Sequence, residues 1–154
     1  FNDIGYFKND LYYTEKEGAI SIYDLNFHQM SCPIMEQITP LVSGKFKVLI
    51  DGKVSFLNDD LTLSLPLEFD DILPFSDSVY CYQLEGKFGL LQMQNKWKTP
   101  NVYDEIYPLS EGIAMVRIKD KFGYINTEGK LILPCNFNSF ENCARVSQHQ
   151  KNQN

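Results

Sequence analysis

The sequence predicts an all-β protein built as a tandem array of 34-residue repeats. The first observation is a bulky apolar residue that recurs every 34 positions, at Phe1, Met35, Phe69, Tyr103 and Phe137. The second is a pair of proline series with the same interval, Pro40, Pro74, Pro108 and Pro66, Pro100, Pro134. Several independent positions therefore agree without a gap, which is the signature of a repeat protein. The register gives full units at 1–34, 35–68, 69–102 and 103–136, followed by a partial unit at 137–146.

Each unit is expected to contain three short strands in an antiparallel meander. Residues 45–50, KFKVLI, alternate polar and apolar side chains, as a half-buried strand does. Asp51-Gly52 follows, and this dipeptide is the strongest short signal for a type I′ hairpin. Glu85-Gly86 and Lys119-Asp120 stand at the corresponding positions. The pattern therefore predicts a hairpin that joins each unit to the next.

A second turn divides each unit, and a second strand is expected after it. In the clearest copy the turn is 126–129 and the strand is 130–133, KLIL. The corresponding strands are expected at 61–65 and 96–98. Proline lacks an N–H and is tolerated at strand ends or edges, so Pro66, Pro100 and Pro134 are predicted to end these strands. The segment of the YDEI type, between the second and third strands, is interpreted as a loop.

The units are expected to form an open, curved, solenoid-like assembly, with a closed β-propeller as the alternative. The segment that ends the repeats duplicates the one that opens the chain, and 34 residues is short for a propeller blade of roughly 40–45 residues. Helical tetratricopeptide repeats share the length, but prolines about twice per unit and alternation with period two contradict them. One domain is expected over 1–146, with a disordered polar tail at 147–154. The chain opens inside a repeat and lacks an initiator Met, so we interpret it as part of a longer protein.

Composition excludes several classes of partner. The chain has 154 residues, a net charge of −6 and a pI near 4.8. A nucleic-acid partner would require a clustered basic face, and the sequence has none. No apolar run approaches the roughly 18 residues of a membrane span, so membrane insertion is not expected. The cellular compartment is left open.

The cysteines do not form a repeated framework. They are Cys32, Cys81, Cys135 and Cys143. None recurs in every copy, as a disulfide or metal site in each repeat would require. Cys143 shares its position with hydrophobic residues and is expected to be buried, whereas Cys81 aligns with Lys47 and Met115 and is expected on an outer face. A disulfide between Cys135 and Cys143 is left open.

No residue pattern predicts catalysis, a cofactor or a metal. The acidic pairs Asp70-Asp71 and Asp104-Glu105 recur with the repeat, which favours a structural role in capping turns over acid–base chemistry. His28 and His149 are the only histidines, and neither is placed to serve as the base of a catalytic triad. Trp97, the sole tryptophan, aligns with leucines and is expected in the core rather than as a sugar-stacking platform. We therefore predict that the chain is not an enzyme.

Over essentially residues 1–146, and most strongly from about Glu85 onward, the sequence resembles the bacterial WG-containing β-repeat family. The matching residues are Lys121-Phe122-Gly123, Gly129-Lys130, Pro134 and Ala144-Arg145-Val146, with a second match at Lys87-Phe88-Gly89. Phe88 and Phe122 replace the tryptophan of the family pattern, with Ile20 and Val54 in the earlier copies. The resemblance implies a repeat-built β protein without a shared enzymatic activity.

Three functions remain open at this point. The first is a non-catalytic module that binds a protein or acts as a structural scaffold, through the extended surface that repeats generate. The second is a carbohydrate- or cell-envelope-binding module, which would need exposed aromatic side chains on one face and which an exposed Trp97 near Tyr12 or Tyr103 would favour. The third is an accessory domain of an enzyme or toxin whose catalytic part lies outside this chain.

The sequence also predicts a buried Phe122, whose replacement by Ala would cost roughly 3–5 kcal/mol.

Overall fold

A computed structural model describes residues 3–41, 44–94 and 96–137. Within these ranges the chain forms fourteen strands and no helix, so the all-β prediction is confirmed. The strands are β1 (Asp3–Tyr6), β2 (Tyr12–Lys16), β3 (Ala19–Tyr23), β4 (Gln37–Pro40), β5 (Phe46–Ile50), β6 (Lys53–Leu57), β7 (Asp71–Pro74), β8 (Val79–Leu84), β9 (Lys87–Gln92), β10 (Trp97–Lys98), β11 (Glu105–Pro108), β12 (Ile113–Ile118), β13 (Lys121–Asn126) and β14 (Leu131–Phe137). No helix in the described part of the chain is long and apolar enough to cross a membrane.

The strands form four open antiparallel sheets, one for each repeat. The first sheet contains β1–β3, the second β4–β6, the third β7–β10 and the fourth β11–β14. Neighbours in each sheet are neighbours in sequence, so every sheet is a meander, as predicted, although the third and fourth sheets contain four strands where three were predicted. The strands β1, β4, β7 and β11 begin at residues 3, 37, 71 and 105, which keeps the 34-residue interval. The tandem-repeat prediction is therefore confirmed, and the open array stays a prediction.

In the first three sheets the central hairpin has the predicted turn chemistry, but the prediction that it joins one unit to the next was wrong, because both of its strands belong to one sheet. Asp51 and Gly52 have φ angles of 51° and 75°, as a type I′ turn requires of both central residues. Glu17-Gly18 and Glu85-Gly86 have the same pair of positive angles. Glycine adopts a positive φ without steric cost. The residue before it lies in the small left-handed region that non-glycine residues can also adopt. In these three sheets the turn dipeptide therefore fixes the register of the two strands that it joins.

One element predicted as a loop is a strand. The segments after the recurring aromatic or Met residue form β4, β7 and β11, and each pairs along four residues with the next strand. Their isoleucines at 38, 72 and 106 lie on the side of the sheet that packs inward, which stabilises an extended backbone. Pro40, Pro74 and Pro108 end these strands. The prolines are compatible with pairing because each strand is at the edge of its sheet.

The predicted second strands are wrong in two places. Residues 61–65 form no strand, and only an isolated bridge joins Leu57 to Leu63. The hydroxyl of Ser55 accepts the N–H of Leu65 at 3.1 Å and donates to its carbonyl at 2.9 Å, replacing ladder hydrogen bonds. In the last copy the strand does not end at Pro134, because β14 continues to Phe137. It is the outermost strand of its described sheet, where a missing N–H is tolerated.

The sheets pack in pairs inside two compact units, 1–69 and 70–154. We call the side of a sheet that carries Thr14, Val48, Tyr82 or Val116 its front face, and the side that carries Ile22, Phe56, Leu90 or Tyr124 its back face. In the first unit the front face of the second sheet packs on the back face of the first. In the second unit the front face of the fourth sheet packs on the back face of the third. The expected single domain over 1–146 stays a prediction, and the tail lies outside the described residues.

A recurring bridge explains the series of aromatic and Met residues. The backbone of Ile20 pairs with Met35, that of Val54 with Phe69 and that of Phe88 with Tyr103, in each case fifteen residues ahead. The N–H groups donate to the carbonyls at 2.7–2.9 Å. Met35 and Phe69 are fully buried. The aromatic or Met residue therefore anchors the chain where it leaves one sheet and enters the next.

Candidate functional site

The front face of the first sheet carries an open, apolar groove. Its volume is about 610 Å³, and it is lined by Ile4, Tyr12, Thr14, Tyr23, Asp24, Leu25 and Phe27. The first four residues share one face because Ile4 pairs with Thr14 across β1–β2 and Tyr12 pairs with Tyr23 across β2–β3. Alternation along the strands thus assembles the floor of the groove.

The wall of the groove is a turn organised by Asp24. Its carboxylate accepts the N–H groups of Asn26 and His28, both at 2.9 Å, and its second oxygen lies 3.2 Å from the His28 ring. These contacts, led by the hydrogen bond from the His28 backbone, lower the pKa of Asp24. The Phe27 N–H donates to the Asp24 carbonyl at 3.1 Å. The side chain of Asp24 therefore fixes the conformation that presents Leu25 and Phe27.

Phe27 combines backbone strain with exposure. Its φ is 64°, a left-handed conformation that bulky residues rarely adopt. The side chain is 86% exposed, and Ile4 on the neighbouring strand is 63% exposed. Tyr6 and Tyr12 are also exposed, and their rings meet edge to face with centroids 5.6 Å apart. A contiguous exposed apolar patch is typical of an interaction surface.

The recurrent acids cap hairpins. Asp70 accepts the N–H of Glu85 at 2.9 Å, and Asp104 accepts the N–H of Lys119 at 2.5 Å. Glu36, which sequence reasoning missed, does the same for Asp51 at 2.6 Å. Glu36 holds the position 34 residues before Asp70, so the register itself would have identified it. The capped turns lie fifteen residues ahead, not in the local loop.

The neighbouring acids do not build a catalytic pair. The Asp71 carboxylate accepts the N–H of Ile72 at 2.8 Å, and Glu105 lies 3.4 Å from the guanidinium of Arg117. Asp104 forms an ion pair with Lys87, and this contact, followed by the hydrogen bond from Lys119, lowers the pKa of Asp104. Each carboxylate is therefore occupied by a structural contact. No group of three metal-ligating side chains occurs within residues 3–41, 44–94 and 96–137.

The structure describes one of the two histidines. His28 lies on the surface beside Asp24, and His149 lies outside the described residues.

The prediction for Cys81 was wrong. The side chain is 2% exposed because the back face of the third sheet is covered by the fourth. Burial raises the pKa of this thiol to about 12. Cys32 is half-buried, and desolvation raises its pKa as well. Both thiols are free, whereas the side chains of Cys135 and Cys143 lie outside the described residues.

The aromatic platform that would have favoured a carbohydrate site does not form around Trp97. Trp97 is half-buried against the core between the third and fourth sheets, as the sequence predicted, and Tyr103 is buried in the same core. Phe27 is an exposed aromatic that sequence reasoning missed. Its position holds Leu61 and Gly129 in other copies, so a large aromatic in a turn was the available signal.

Repeated three- or four-stranded meanders at one fixed interval define this chain as a β-repeat protein. The sequence profile of the WG containing repeat matches residues 55–88, 88–122 and 122–151. The chain therefore belongs to the WG repeat family. The resemblance predicted from the KFG motifs is confirmed.

Other comparisons are distant. A search of curated proteins returns no match. Among solved structures, Kluyvelomyces marxianus Hsv2 is similar over 88% of this chain and 48% of its own, with 10% identity and a TM-score of 0.48. The extracellular domain of the putative hybrid two component system BT3049 from B. thetaiotaomicron is similar over 89% of this chain and 22% of its own, with 9% identity and a TM-score of 0.41. The chain thus spans less than half the length of either protein.

Proposed function

We propose that this chain is a non-catalytic WG repeat module that binds a protein partner through the front face of its first sheet. The observation that supports this proposal is the exposed apolar patch that lines the groove and includes Ile4, Tyr12 and Phe27. Apolar side chains at a protein interface gain stability from leaving water, roughly 25 cal/mol for each Å² buried. The second sheet packs on the back face of the first and supports this surface from behind, and a preorganised surface lowers the entropic cost of binding.

The chemistry of the groove favours a protein over a sugar. Its floor is formed mainly by Ile4, Tyr12 and Tyr23, and Thr14 is buried among them. The Asp24 carboxylate is already engaged by its own turn. A sugar ring would require several free polar groups to replace the water it loses. An apolar protein surface requires none.

A fragment-display selection tests this function. The immobilised chain would be used to select binders from a phage-displayed library of protein fragments. Binders would then be compared on the wild type, on Phe27→Asp and on Val102→Asp, which alters an exposed apolar residue in a loop of another sheet. We expect selected fragments that bind the wild type and Val102→Asp but do not bind Phe27→Asp. Selected fragments that bind Phe27→Asp as tightly as the wild type would overturn the proposal. Binding of a glycan to this face, without any protein fragment that binds it, would overturn the proposal as well.

A further inference from the structure

The two sheet pairs of this chain follow one packing rule. In the first unit, Phe46, Val48 and Leu57 on a front face share a core with Ile20 and Ile22 on a back face. In the second unit, a front face and a back face again share a core, which contains Val79, Cys81, Leu90, Ala114, Val116 and Ile125. The same register positions meet in both pairs. A front face of this repeat is therefore built to receive a back face.

The first sheet has the same front face in an uncovered state. Ile4 is 63% exposed, whereas Ile106, at the same position of the fourth sheet, is 9% exposed. Tyr12 is exposed, and Phe46 at its position in the second sheet is buried. The positions are equivalent in strand and face. The difference in burial follows from the presence or absence of a packed sheet.

The turn beside the groove shows the same difference in burial between equivalent positions of two repeats. Phe27 and Leu61 are 34 residues apart, have φ angles of 64° and 68°, and donate their N–H groups to the carbonyls of Asp24 and Asn58. Leu61 belongs to the core between the first two sheets and is 5% exposed, against 86% for Phe27. Leu61 therefore shows where the side chain at this position packs when a back face is present.

We propose that the front face of the first sheet docks the back face of a further repeat sheet of this type. The inference rests on the proposed function, because it names the partner of the same surface. The matching back faces carry aliphatic or small side chains, such as Ile20 and Ile22 or Val79 and Leu90. Packed sheets of this kind lie about 10 Å apart and interdigitate their side chains, so Phe27 and Tyr12 would extend into that layer.

An intact second copy of this chain is not the occupant. The back faces of the first and third sheets are already packed inside their units. Phe56 on the back face of the second sheet and Tyr124 on that of the fourth are buried too. A docking sheet must therefore come from a repeat whose back face is free.

A register-matched extension tests the inference. A copy of residues 1–34 would be placed directly before Phe1, because Phe1 and Met35 share one repeat position. The added sheet would then meet the first sheet as the first meets the second, with Phe27 at the position of Leu61. The copy of Phe27 in the extension is changed to Ser, so that peptide mass spectrometry distinguishes the two turns. The control carries the same extension with its copies of Ile20 and Ile22 changed to Lys. Hydroxyl-radical labelling of the original Phe27 reports the exposure of the face in the full extended chain.

We expect the extension to lower the labelling rate of Phe27 about tenfold, as its exposed fraction falls from 86% toward the 5% of Leu61. The lysine control should leave the rate near that of the unextended chain. Unchanged labelling, or equal protection by the control, would overturn the inference. Sedimentation equilibrium of the unextended chain adds a further check, because a dimer abolished by Phe27→Asp would identify a second copy as occupant and overturn it as well.

The outcomes separate the two proposals. If the extension gives no protection but Phe27-dependent fragment binders are recovered, the protein-binding function stands and the repeat-sheet partner fails. If neither is observed, both fail.

Discussion

Phe27 and Leu61 occupy equivalent positions in consecutive repeats, with the same turn and nearly the same φ, yet one is exposed and the other lies in the core. Their backbones are set by local chemistry, because the backbone groups of Asp24 and Asn58 make the same two hydrogen bonds in the two turns. Their burial is set by a neighbouring sheet, which is present for Leu61. Local sequence therefore fixes the conformation of a repeat, and stacking fixes which of its faces is covered.

The glycine of the KFG motif makes room for a tyrosine ring in the third sheet. Gly89 pairs with Tyr82 across β8–β9, and a Cβ on Gly89 would lie 2.7 Å from Cε1 and the hydroxyl oxygen of that ring. Tyr82 is buried and donates its hydroxyl to the Thr99 carbonyl, so the ring cannot move aside freely. We expect Gly89→Ser to destabilise the chain by about 1–3 kcal/mol in urea unfolding.

A double variant provides the control for this prediction. In the second sheet the equivalent pair is Ser55 and Val48, so Gly89→Ser combined with Tyr82→Val reproduces a pair that the fold already accepts. The combined destabilisation should be smaller than the sum of the two single effects, because contacting residues couple. Strictly additive effects would mean that the ring does not limit position 89.

Part of the free energy of unfolding should depend on pH through the ionisation of Asp104. Its pKa is lowered by the Lys87 ion pair and by the hydrogen bond from the Lys119 N–H. A carboxyl with a lowered folded-state pKa stabilises the fold above its unfolded pKa of about 3.9, and this contribution is lost as the pH falls through the folded value. Wild type should therefore be more stable than Asp104→Asn at pH 7, and this difference should shrink as the pH falls below the unfolded pKa and disappear once the pH is below the lowered folded-state pKa.

Urea unfolding at several pH values measures this difference. Asp120→Asn removes an acid from the same hairpin turn, but Asp120 makes neither the Lys87 nor the Lys119 contact. A wild-type advantage over Asp104→Asn that persists unchanged at pH 3 would contradict the assigned contacts.

Cys81 should resist alkylation in the folded chain. The thiolate is the reactive form, and burial raises the pKa of this thiol to about 12. At pH 8 iodoacetamide should label Cys81 slowly in buffer and rapidly in urea, and the half-buried Cys32 should react faster than Cys81 in the folded state. Peptide mass spectrometry resolves the individual cysteines. Labelling of Cys81 at the same rate in buffer and urea would place it on an open surface.

Phe122 should contribute less to stability than a fully buried aromatic. The structure places it half-buried beside Met115 and Tyr124, so about 2 kcal/mol is expected for Phe122→Ala, below the 3–5 kcal/mol of a fully buried Phe. Ile125 is fully buried between the third and fourth sheets, and Ile125→Ala should cost about 2–5 kcal/mol. Denaturant melts of both variants compare the two costs. A larger loss from Phe122→Ala than from Ile125→Ala would contradict the assigned burial.

The sequence predicted the parts of the fold that local chemistry controls. The Asp51-Gly52 turn, the alternation around Val48 and the 34-residue interval each reflect backbone geometry or side-chain periodicity, and the structure confirms them. The short strand β11 was missed because it is only four residues long and ends at Pro108. The neighbouring strand, and not a local sequence pattern, determines its pairing with β12. Four residues are too few to show a clear alternation of polar and apolar side chains.

Burial between sheets was the harder property to predict. Cys81 was placed outside because Lys47 holds its position in the preceding copy, but the fourth sheet covers this face of the third. The candidate site was missed for a related reason. Phe27 stands in a turn like that of Leu61, and sequence alone does not distinguish a turn residue that packs under a sheet from one that remains open.

Urea unfolding of Leu61→Ala and Phe27→Ala tests the central claim most directly. If equivalent positions differ only in whether a sheet covers them, Leu61→Ala should lower the free energy of unfolding by about 2–5 kcal/mol. Phe27→Ala should change it by less than about 0.5 kcal/mol, as expected for an exposed residue. Equal losses from the two variants would contradict the claim that the front face of the first sheet is open.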